Sequence, residues 1–258
     1  MPRPLVAVIL AAGRGKRMGS PRPKVLHPAG GRPLLGWVAS AAREAGCARI
    51  VAVIGHGGEE VRREMARDPA GGGLEYVLQA ERRGTGHALA QARAAVPEAA
   101  TLLVLSGDVP LVGAATLCAL AARVEGAGGA GAAWGALAVA EPDDPGSLGR
   151  VIARPRAGGG EELERIVEAA DAAPAELAVR RINAGLYALP APEVFAYLDR
   201  LDDDNAQGER YLTDALGIAA AEGRSIALHP LADPDEALGV NTPEELAAVD
   251  RLLRAKRA

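Results

Sequence analysis

A chain of 258 residues, 49% of them hydrophobic, is long enough to bury a full core, and its length fits one elaborated α/β domain although two domains would also be allowed. A formal net charge of -4 leaves no global basic field, which argues against nucleic acid as a partner. No apolar run approaches the roughly 20 residues of a spanning helix, so no membrane partner is expected.

The apolar run Leu5–Leu10 predicts a buried strand. Directly behind it, Gly13-Arg14-Gly15-Lys16-Arg17-Met18-Gly19-Ser20-Pro21-Arg22-Pro23-Lys24 joins three glycines to five cations. Glycines let backbone N–H groups approach an anion, cations neutralise it, and a loop at the carboxyl end of a strand is where open α/β sheets bind ligands. The sequence therefore presents a phosphate loop. Helical patterns at Leu34–Ala45, Glu59–Arg67 and His87–Ala95 alternate with strand-like runs at Arg49–Ile54, Leu74–Leu78 and Thr101–Leu105. That alternation predicts an α/β fold with a doubly wound, mostly parallel sheet, whose strands are continuously apolar because both faces are covered.

After Val139 the regularity weakens. Segments at Arg150–Arg154 and Leu163–Val167 flank the turn Gly158-Gly159-Gly160 and predict a small β-rich insertion over the sheet. Ile182–Leu189 returns to strand character, Arg210–Ala221 is helical, Ile226–Leu228 is a short strand, and Pro243 opens a last helix with a basic end, Arg251 to Arg257. The expected division is a main domain over 1–242 and a C-terminal helix over 243–258. Trp37 and Trp134 fall in apolar periodic segments and are expected in the core. Cys47 and Cys118 share no C-x-x-C or zinc pattern and are expected as buried small hydrophobes. His27, His56, His87 and His229 lack zinc spacing, and no serine sits in a G-x-S-x-G elbow. Val6–Ala12 is interrupted by Gly13-Arg14 and short for an export signal, so a cytoplasmic protein is expected.

Spacing tests two common phosphate loops. The dinucleotide fingerprint places its third glycine at Met18, and the strand Arg49–Ile54 ends in Gly55-His56 without the acidic residue a ribose needs. No Gly-Lys-Ser/Thr triplet closes a P-loop. What the loop does resemble is the signature L-x-x-G-x-G-x-R-M, a short spacer, then P-K, of sugar-phosphate nucleotidyltransferases: Leu10-Ala11-Ala12-Gly13-Arg14-Gly15-Lys16-Arg17-Met18 and Pro23-Lys24. Downstream, Gln79-Ala80-Glu81 with Gly84-Thr85-Gly86-His87-Ala88, Gly107-Asp108-Val109-Pro110-Leu111, Asn205-Ala206-Gln207-Gly208-Glu209 and Gly239-Val240-Asn241 resemble the uridylyltransferase domain of the bifunctional N-acetylglucosamine-1-phosphate enzymes. The resemblance covers almost the whole chain and implies a Rossmann-like nucleotidyltransferase fold.

The same resemblance implies transfer of uridylyl from UTP to N-acetylglucosamine-1-phosphate with Mg²⁺, and it assigns roles residue by residue. Arg17, toward the triphosphate, and Lys24, toward the α-phosphate, become the catalytic cations, whereas a lone Arg or Lys reads as a solvated surface charge. Nucleotide contacts fall on Leu10, Ala11, Ala12, Gly13, Gly15, Lys24, Gln79, Gly84, Thr85, Ser106, Gly107 and Asp108. A Gln at 79 can pair with both a donor and an acceptor on a pyrimidine edge. Thr85 reads equally as the N-cap of the helix it opens. Asp108 and Asn241 become the metal ligands; from the residues alone Asp108 is also a turn residue and Asn241 part of a helix start. Gly149, Glu168, Asn183, Tyr211, Thr213 and Asn241 fall on the sugar side, Glu168 in a charged stretch with Glu164 that solvation would also explain.

Ser106 stands where an aromatic is usual in that family, Ala169-Ala170 where a polar pair is usual, and Ala184 where threonine is common. Each change removes bulk or polar contact beside the expected substrates. Another sugar or nucleotide, as in guanylyl transfer of the molybdenum-cofactor branch, and a catalytically idle nucleotide-sugar sensor are the alternatives. The bifunctional members continue into a β-helix acetyltransferase domain; the hexapeptide repeats of such a domain are not found in these residues, so acetyl transfer is not expected of them.

Overall fold

The computed structural model describes residues 3–13, 15–124, 132–156 and 159–256; Arg14, Gly158 and Arg257, named above, lie outside them. In chain order the strands are β1 (Leu5–Ala11), β2 (Pro28–Ala29), β3 (Arg32–Pro33), β4 (Arg49–Ile54), β5 (Leu74–Leu78), β6 (Thr101–Ser106), β7 (Gly135–Ala140), β8 (Arg150–Pro155), β9 (Glu161–Val167), β10 (Ile182–Pro190) and β11 (Ile226–Pro230). The helices are α1 (Leu34–Glu44), α2 (Gly58–Met65), α3 (Thr85–Gln91), α4 (Ala114–Ala121), α5 (Pro174–Leu177), α6 (Glu193–Leu198), α7 (Leu212–Ala221) and α8 (Pro243–Ala255). Nine strands form one sheet in the order β5-β4-β1-β6-β10-β7-β11-β9-β8.

The continuous apolar runs serve two faces at once. Ala7 and Ile9 of β1, Ile50, Ala52 and Ile54 of β4, and Leu103 and Leu105 of β6 join one core, which includes Leu35 and Val38 of α1. Val6, Val8, Val51, Val53, Leu102 and Val104 point the other way, into a core with Leu89 of α3 and Leu212 and Leu216 of α7. Because side chains alternate with period two, a strand covered on both sides must be apolar at every position. Each fully buried aliphatic side chain there stabilises the fold by about 1.5–3 kcal/mol relative to leaving it in water.

Strands β5, β4, β1 and β6 are parallel, and β10 then enters antiparallel to both β6 and β7. The sheet is thus parallel through its first four strands and mixed beyond them. The β-rich insertion differs from expectation: the β8–β9 hairpin prolongs the sheet at its edge instead of lying over it, with β9 against β11 and β8 also touching β10. The cause is apolar. Val151, Leu163 and Ile166 of the hairpin join the core that α7 covers.

From β1 the chain builds outward to β4 and β5, then crosses to place β6 on β1's other side. The carboxyl ends of β1 and β6 therefore open side by side at a topological switch point, where a crevice forms between the loops that leave them. Helix α8 closes this end: Val249 and Leu253 pack with Met18 of the loop after β1, Leu34 and Leu111. A capping box starts α8, with Glu245 N donating to Thr242 Oγ1 (3.2 Å) and Glu245 Oε2 accepting from Thr242 N (3.0 Å).

Some expectations of burial are corrected. Cys118 is exposed, on the outward side of α4 between the buried Leu117 and Leu120, and Cys47 is half-buried in the turn after α1, where burial pushes its thiol up to about 12. Trp134 is buried, edge-on to Tyr197 at 5.3 Å. Trp37 is only half-buried: its indole N–H donates to Ala29 O (2.8 Å), and the Arg32 guanidinium lies 4.8 Å over its ring. Among the described residues no helix is long and apolar enough to cross a membrane.

Candidate active site

At the carboxyl ends of β1 and β6 two adjoining cavities share Thr85, Ser106 and Asp108. The first, of about 510 Å³, is walled by Leu10, Ala11, Ala12, Gly13 and Gly15 from β1 and its loop, by Lys24, and by Gln79 and Gly84 from the β5–α3 connection. Gly15 has φ +60°, and a Cβ there would meet Lys24 Cβ at 2.7 Å, so the bare backbone makes room for the lysine stem. Gly84, at φ +99°, approaches Arg210 so closely that a Cβ would lie 2.5 Å from its carbonyl oxygen. Gly107 is the one residue expected on the nucleotide side that does not face the cavity. It is buried, donates its N–H to Leu10 O (3.0 Å), and so ties the exit of β6 to that of β1 and aims Asp108.

Lys24 reaches the junction. Its Nζ donates to Asp108 Oδ2 and, at 2.9 Å, to Asn241 Oδ1. Val240 N donates to Asp108 O (2.9 Å), which fastens the Asn241 loop to the Asp108 loop although 133 positions separate the two residues (241 − 108). A carboxylate oxygen and an amide oxygen thus converge on one cation. Both are hard oxygen donors, the type a divalent cation shares with phosphate oxygens. Among the described residues no group of three or more His, Cys, Asp or Glu is placed to hold a metal.

Gln79 is 3% exposed, and its Nε2 donates to Gly84 O (3.1 Å) and meets His87 Nδ1 (3.0 Å). Both amide hydrogens are therefore spent inside the protein, and of the two-way pairing expected of this Gln only the carbonyl oxygen remains. The capping reading of Thr85 is set aside as well: Gly84 occupies the N-cap position, and Thr85 Oγ1 accepts from Leu212 N (3.0 Å), joining α3 to the start of α7. Ser106 Oγ donates to Gly185 O (3.3 Å), in space that a Cβ on Gly185 would fill.

The second cavity, of about 540 Å³, holds Arg17, Gly149, Glu168, Asn183, Thr213 and Asn241. Arg17 is exposed and stands on this side, not on the wall of the first cavity. Thr213 Oγ1 donates to Glu168 Oε1 (3.0 Å), and a Cβ on Gly149 would press to 3.2 Å from Glu168 Oε2. Burial pushes the Glu168 carboxyl above its ordinary range, with repulsion from Asp214 and Asp171 added. Asn183 is held at both ends, its Nδ2 donating to Tyr187 Oη (2.7 Å) and its Oδ1 accepting from Gly185 N (2.9 Å). Tyr211 departs from expectation. It sits at the N-cap of α7, 6% exposed, with its hydroxyl without a partner among the described residues, and it lines neither cavity.

Two charged residues of the first cavity carried no sequence assignment, Arg82 and Glu209. Glu209 closes the quoted run Asn205–Glu209. The Asn205 side chain shapes that loop, its Nδ2 donating to Glu209 O (2.5 Å) and its Oδ1 accepting from Glu209 N (3.2 Å). Arg82 lies inside the run between Gln79 and Gly84, where only the neighbours' roles marked it.

A family model described as the MobA-like NTP transferase domain matches residues 7–220, a span that runs from within β1 through β10. The chain belongs to the MobA-like NTP transferase domain family. Among its relatives, the "Bifunctional protein GlmU" of Syntrophotalea carbinolica is 44% identical over 253 residues, covering 98% of this chain and 52% of the relative. The protein of the same name from Pelotomaculum thermopropionicum is 45% identical over 98% of this chain, again 52% of its own length. This NTP transferase domain thus spans about half the length of the curated relatives it matches. Its fold is that of a UDP-glucose pyrophosphorylase solved with UDP-glucose (TM-score 0.77, 19% identity, 100% of each chain). It is also that of a putative glucose-1-phosphate thymidylyltransferase from Bacillus anthracis (TM-score 0.73, 20% identity, 97% of this chain and 95% of the other).

One stability prediction for the NTP transferase domain follows from Glu168. A carboxyl raised by burial is best tolerated protonated, so its contribution is fully present below the unfolded-state value of about 4.3 and is lost as pH rises through the higher folded-state value. Glu168→Gln keeps the bond from Thr213 and removes the buried charge. Melting curves should show a higher Tm for the variant at about pH 8, with the gain shrinking as pH falls toward about 4. A variant no more stable than the parent at the higher pH would contradict the assigned burial cost.

Proposed function

We propose that the chain transfers uridylyl from UTP to N-acetylglucosamine-1-phosphate, releasing pyrophosphate and forming UDP-N-acetylglucosamine. The observation that carries this reading is the Lys24 ammonium held by Asp108 and Asn241 where the two cavities meet. In the reaction a phosphate oxygen of the sugar phosphate attacks the α-phosphorus of the triphosphate in line. One P–O bond forms, the α–β P–O bond breaks, and pyrophosphate carries away the electron pair. Such chemistry asks for positioning and charge stabilisation more than for covalent help.

The nucleotide is assigned to the first cavity, with the Gly13 and Gly15 backbone beside the phosphates and Gln79 at the base. The sugar is assigned to the second, among Gly149, Glu168, Asn183 and Thr213, with the remaining Asn183 Nδ2 hydrogen and the Glu168 carboxyl answering sugar hydroxyls and the acetamido group, and Thr213 holding Glu168 in place. Lys24 stands against the charge that builds on the α-phosphate, and Arg17 offers a planar fork to phosphate oxygens from the side of the second cavity. Asp108 and Asn241 would hold Mg²⁺, which supplies phosphate charge neutralisation when bound. The likeness to relatives named GlmU over 97–98% of this chain supports the substrate choice.

Pyrophosphate release, measured with Mg²⁺ and each nucleoside triphosphate against a panel of sugar-1-phosphates, tests the reading. Turnover confined to UTP and N-acetylglucosamine-1-phosphate is the expected result. Turnover with another base or sugar would overturn the substrate assignment, and binding without turnover would make the chain a nucleotide-sugar sensor.

A further inference from the structure

His87 lies outside both cavities and so takes no part in the contacts proposed above, yet its ring is the second partner of the amide that faces the base. The hydrogen bonds fix what each atom is. Gly84 O is a carbonyl and only accepts, so the Gln79 atom 3.1 Å from it is the NH₂ nitrogen. The same nitrogen lies 3.0 Å from His87 Nδ1, and its second hydrogen goes there. Nδ1 is then the bare acceptor of a neutral ring whose hydrogen is on Nε2, facing the Gln91 side-chain amide 3.2 Å away; as placed, that amide turns its nitrogen to Nε2 and to His87 O (3.3 Å), so the Nε2 hydrogen requires it to rotate its oxygen to the ring and give up that longer bond. Gln79 Oε1 takes no hydrogen bond from the described residues.

We propose that His87 is a positioning residue for base selection: by accepting the second Gln79 hydrogen at Nδ1, it keeps the Gln79 carbonyl as the only group that this amide turns to the base. The inference rests on the nucleotidyl-transfer reading of the first cavity. A fixed acceptor takes a base whose ring nitrogen carries hydrogen, as uracil N3 and guanine N1 do. Cytosine N3 and adenine N1 are themselves acceptors, and against Oε1 they face a lone pair with a lone pair. Freed from His87, the amide can turn and offer its NH₂ to such bases.

The surroundings favour the neutral ring. Burial lowers the proton affinity of His87, the Arg83 and Arg210 charges lower it further, and Glu81 opposes them. Protonation at low pH would turn Nδ1 into a donor facing a donor, and the lock would fail.

The test is kcat/KM for all four nucleoside triphosphates with the parent enzyme, His87→Ala and His87→Asn, whose Oδ1 can accept in place of Nδ1. In His87→Ala the UTP-to-CTP ratio should fall roughly five- to tenfold, the size of one net hydrogen bond in the balance between the two bases. His87→Asn should hold the ratio within about twofold of the parent. Mere loosening of α3 would slow all four nucleotides alike and leave the ratio unmoved, and that result, or an Asn variant as unselective as the Ala variant, overturns the proposal. The unmodified enzyme gives a reading that needs no variant to fold: its UTP-to-CTP ratio should hold down to the ordinary histidine value of about 6.5 and decline only beneath it, and a decline that sets in above that value overturns the lock. If the parent proves to prefer GTP, the uridylyl reading fails while the lock is judged on the GTP-to-ATP ratio of the same panel.

Discussion

Lys24→Ala should lower kcat by about a thousandfold while KM for UTP changes by less than about tenfold, because the ammonium meets charge that grows only as the transferred phosphorus passes between oxygens. That proposed role fits the surroundings of the side chain. Its stem runs past the bare Gly15, its Nζ rests on Asp108 and Asn241, and it is half-buried at the mouth of two open cavities. Folding should survive. Asp108 loses its cation but keeps water from the cavities, so the melting temperature should drop by only a few degrees, the response to a change of about 1 kcal/mol. Lys24→Arg should rescue little, since a wide planar fork cannot replace a point charge seated between two oxygens. Single-turnover measurements with saturating UTP read the effect directly. Wild-type kcat in Lys24→Ala, with the fold intact by melting, would remove Lys24 from the chemistry.

Where sequence and structure agree, the reason is burial. The runs at β1, β4 and β6 were legible because parallel strands covered on both faces are almost wholly apolar, whereas the edge strand β5 keeps the exposed Glu75 and Leu78. What the local pattern does not carry is where a strand inserts. Ile182–Pro190 reads as a strand, but its place between β6 and β7, antiparallel to both, depends on partners more than 40 residues away in the chain (182 − 140). The β8–β9 hairpin is a similar case: its apolar side could face the sheet or extend it, and α7 decides.

The site divides along the same line. Lys24, Asp108 and Asn241 were found by motif, and their meeting at one point is information that only the fold supplies. Tyr211 was misplaced because a motif position says nothing of which way a ring turns at an N-cap. Gln79 was placed on the cavity wall, but its hydrogen-bonding capacity was not legible, since the two acceptors that consume its NH₂ come from the next turn of chain. Cys118 looked apolar within an apolar helix, and a helix with little amphipathic contrast does not reveal its outward face.

Asp108→Asn should reduce kcat/KM for UTP by about a hundredfold or more and make turnover depend on a far higher concentration of Mg²⁺. The substitution preserves size and one oxygen, so the loop geometry set by Gly107 N to Leu10 O and Val240 N to Asp108 O is left alone. What changes is charge. In the free protein the carboxylate is the anionic partner of Lys24; with nucleotide and metal present it is the one anionic side chain assigned to the cation, Asn241 being neutral. Losing it leaves two amide oxygens, a donor pair too weak to compete with water for a strongly hydrated ion. The two roles predict different pair behaviour. Because Lys24 and Asp108 touch, the double variant Lys24→Ala with Asp108→Asn should be less impaired than the product of the single losses, by about tenfold or more. Metal titrations of initial velocity for the parent, both single variants and the double variant make the distinction: Lys24→Ala should keep the parent's midpoint for Mg²⁺, whereas Asp108→Asn should not. An Asp108→Asn enzyme with the parent's metal midpoint would leave Asp108 as the anchor of Lys24 and nothing more.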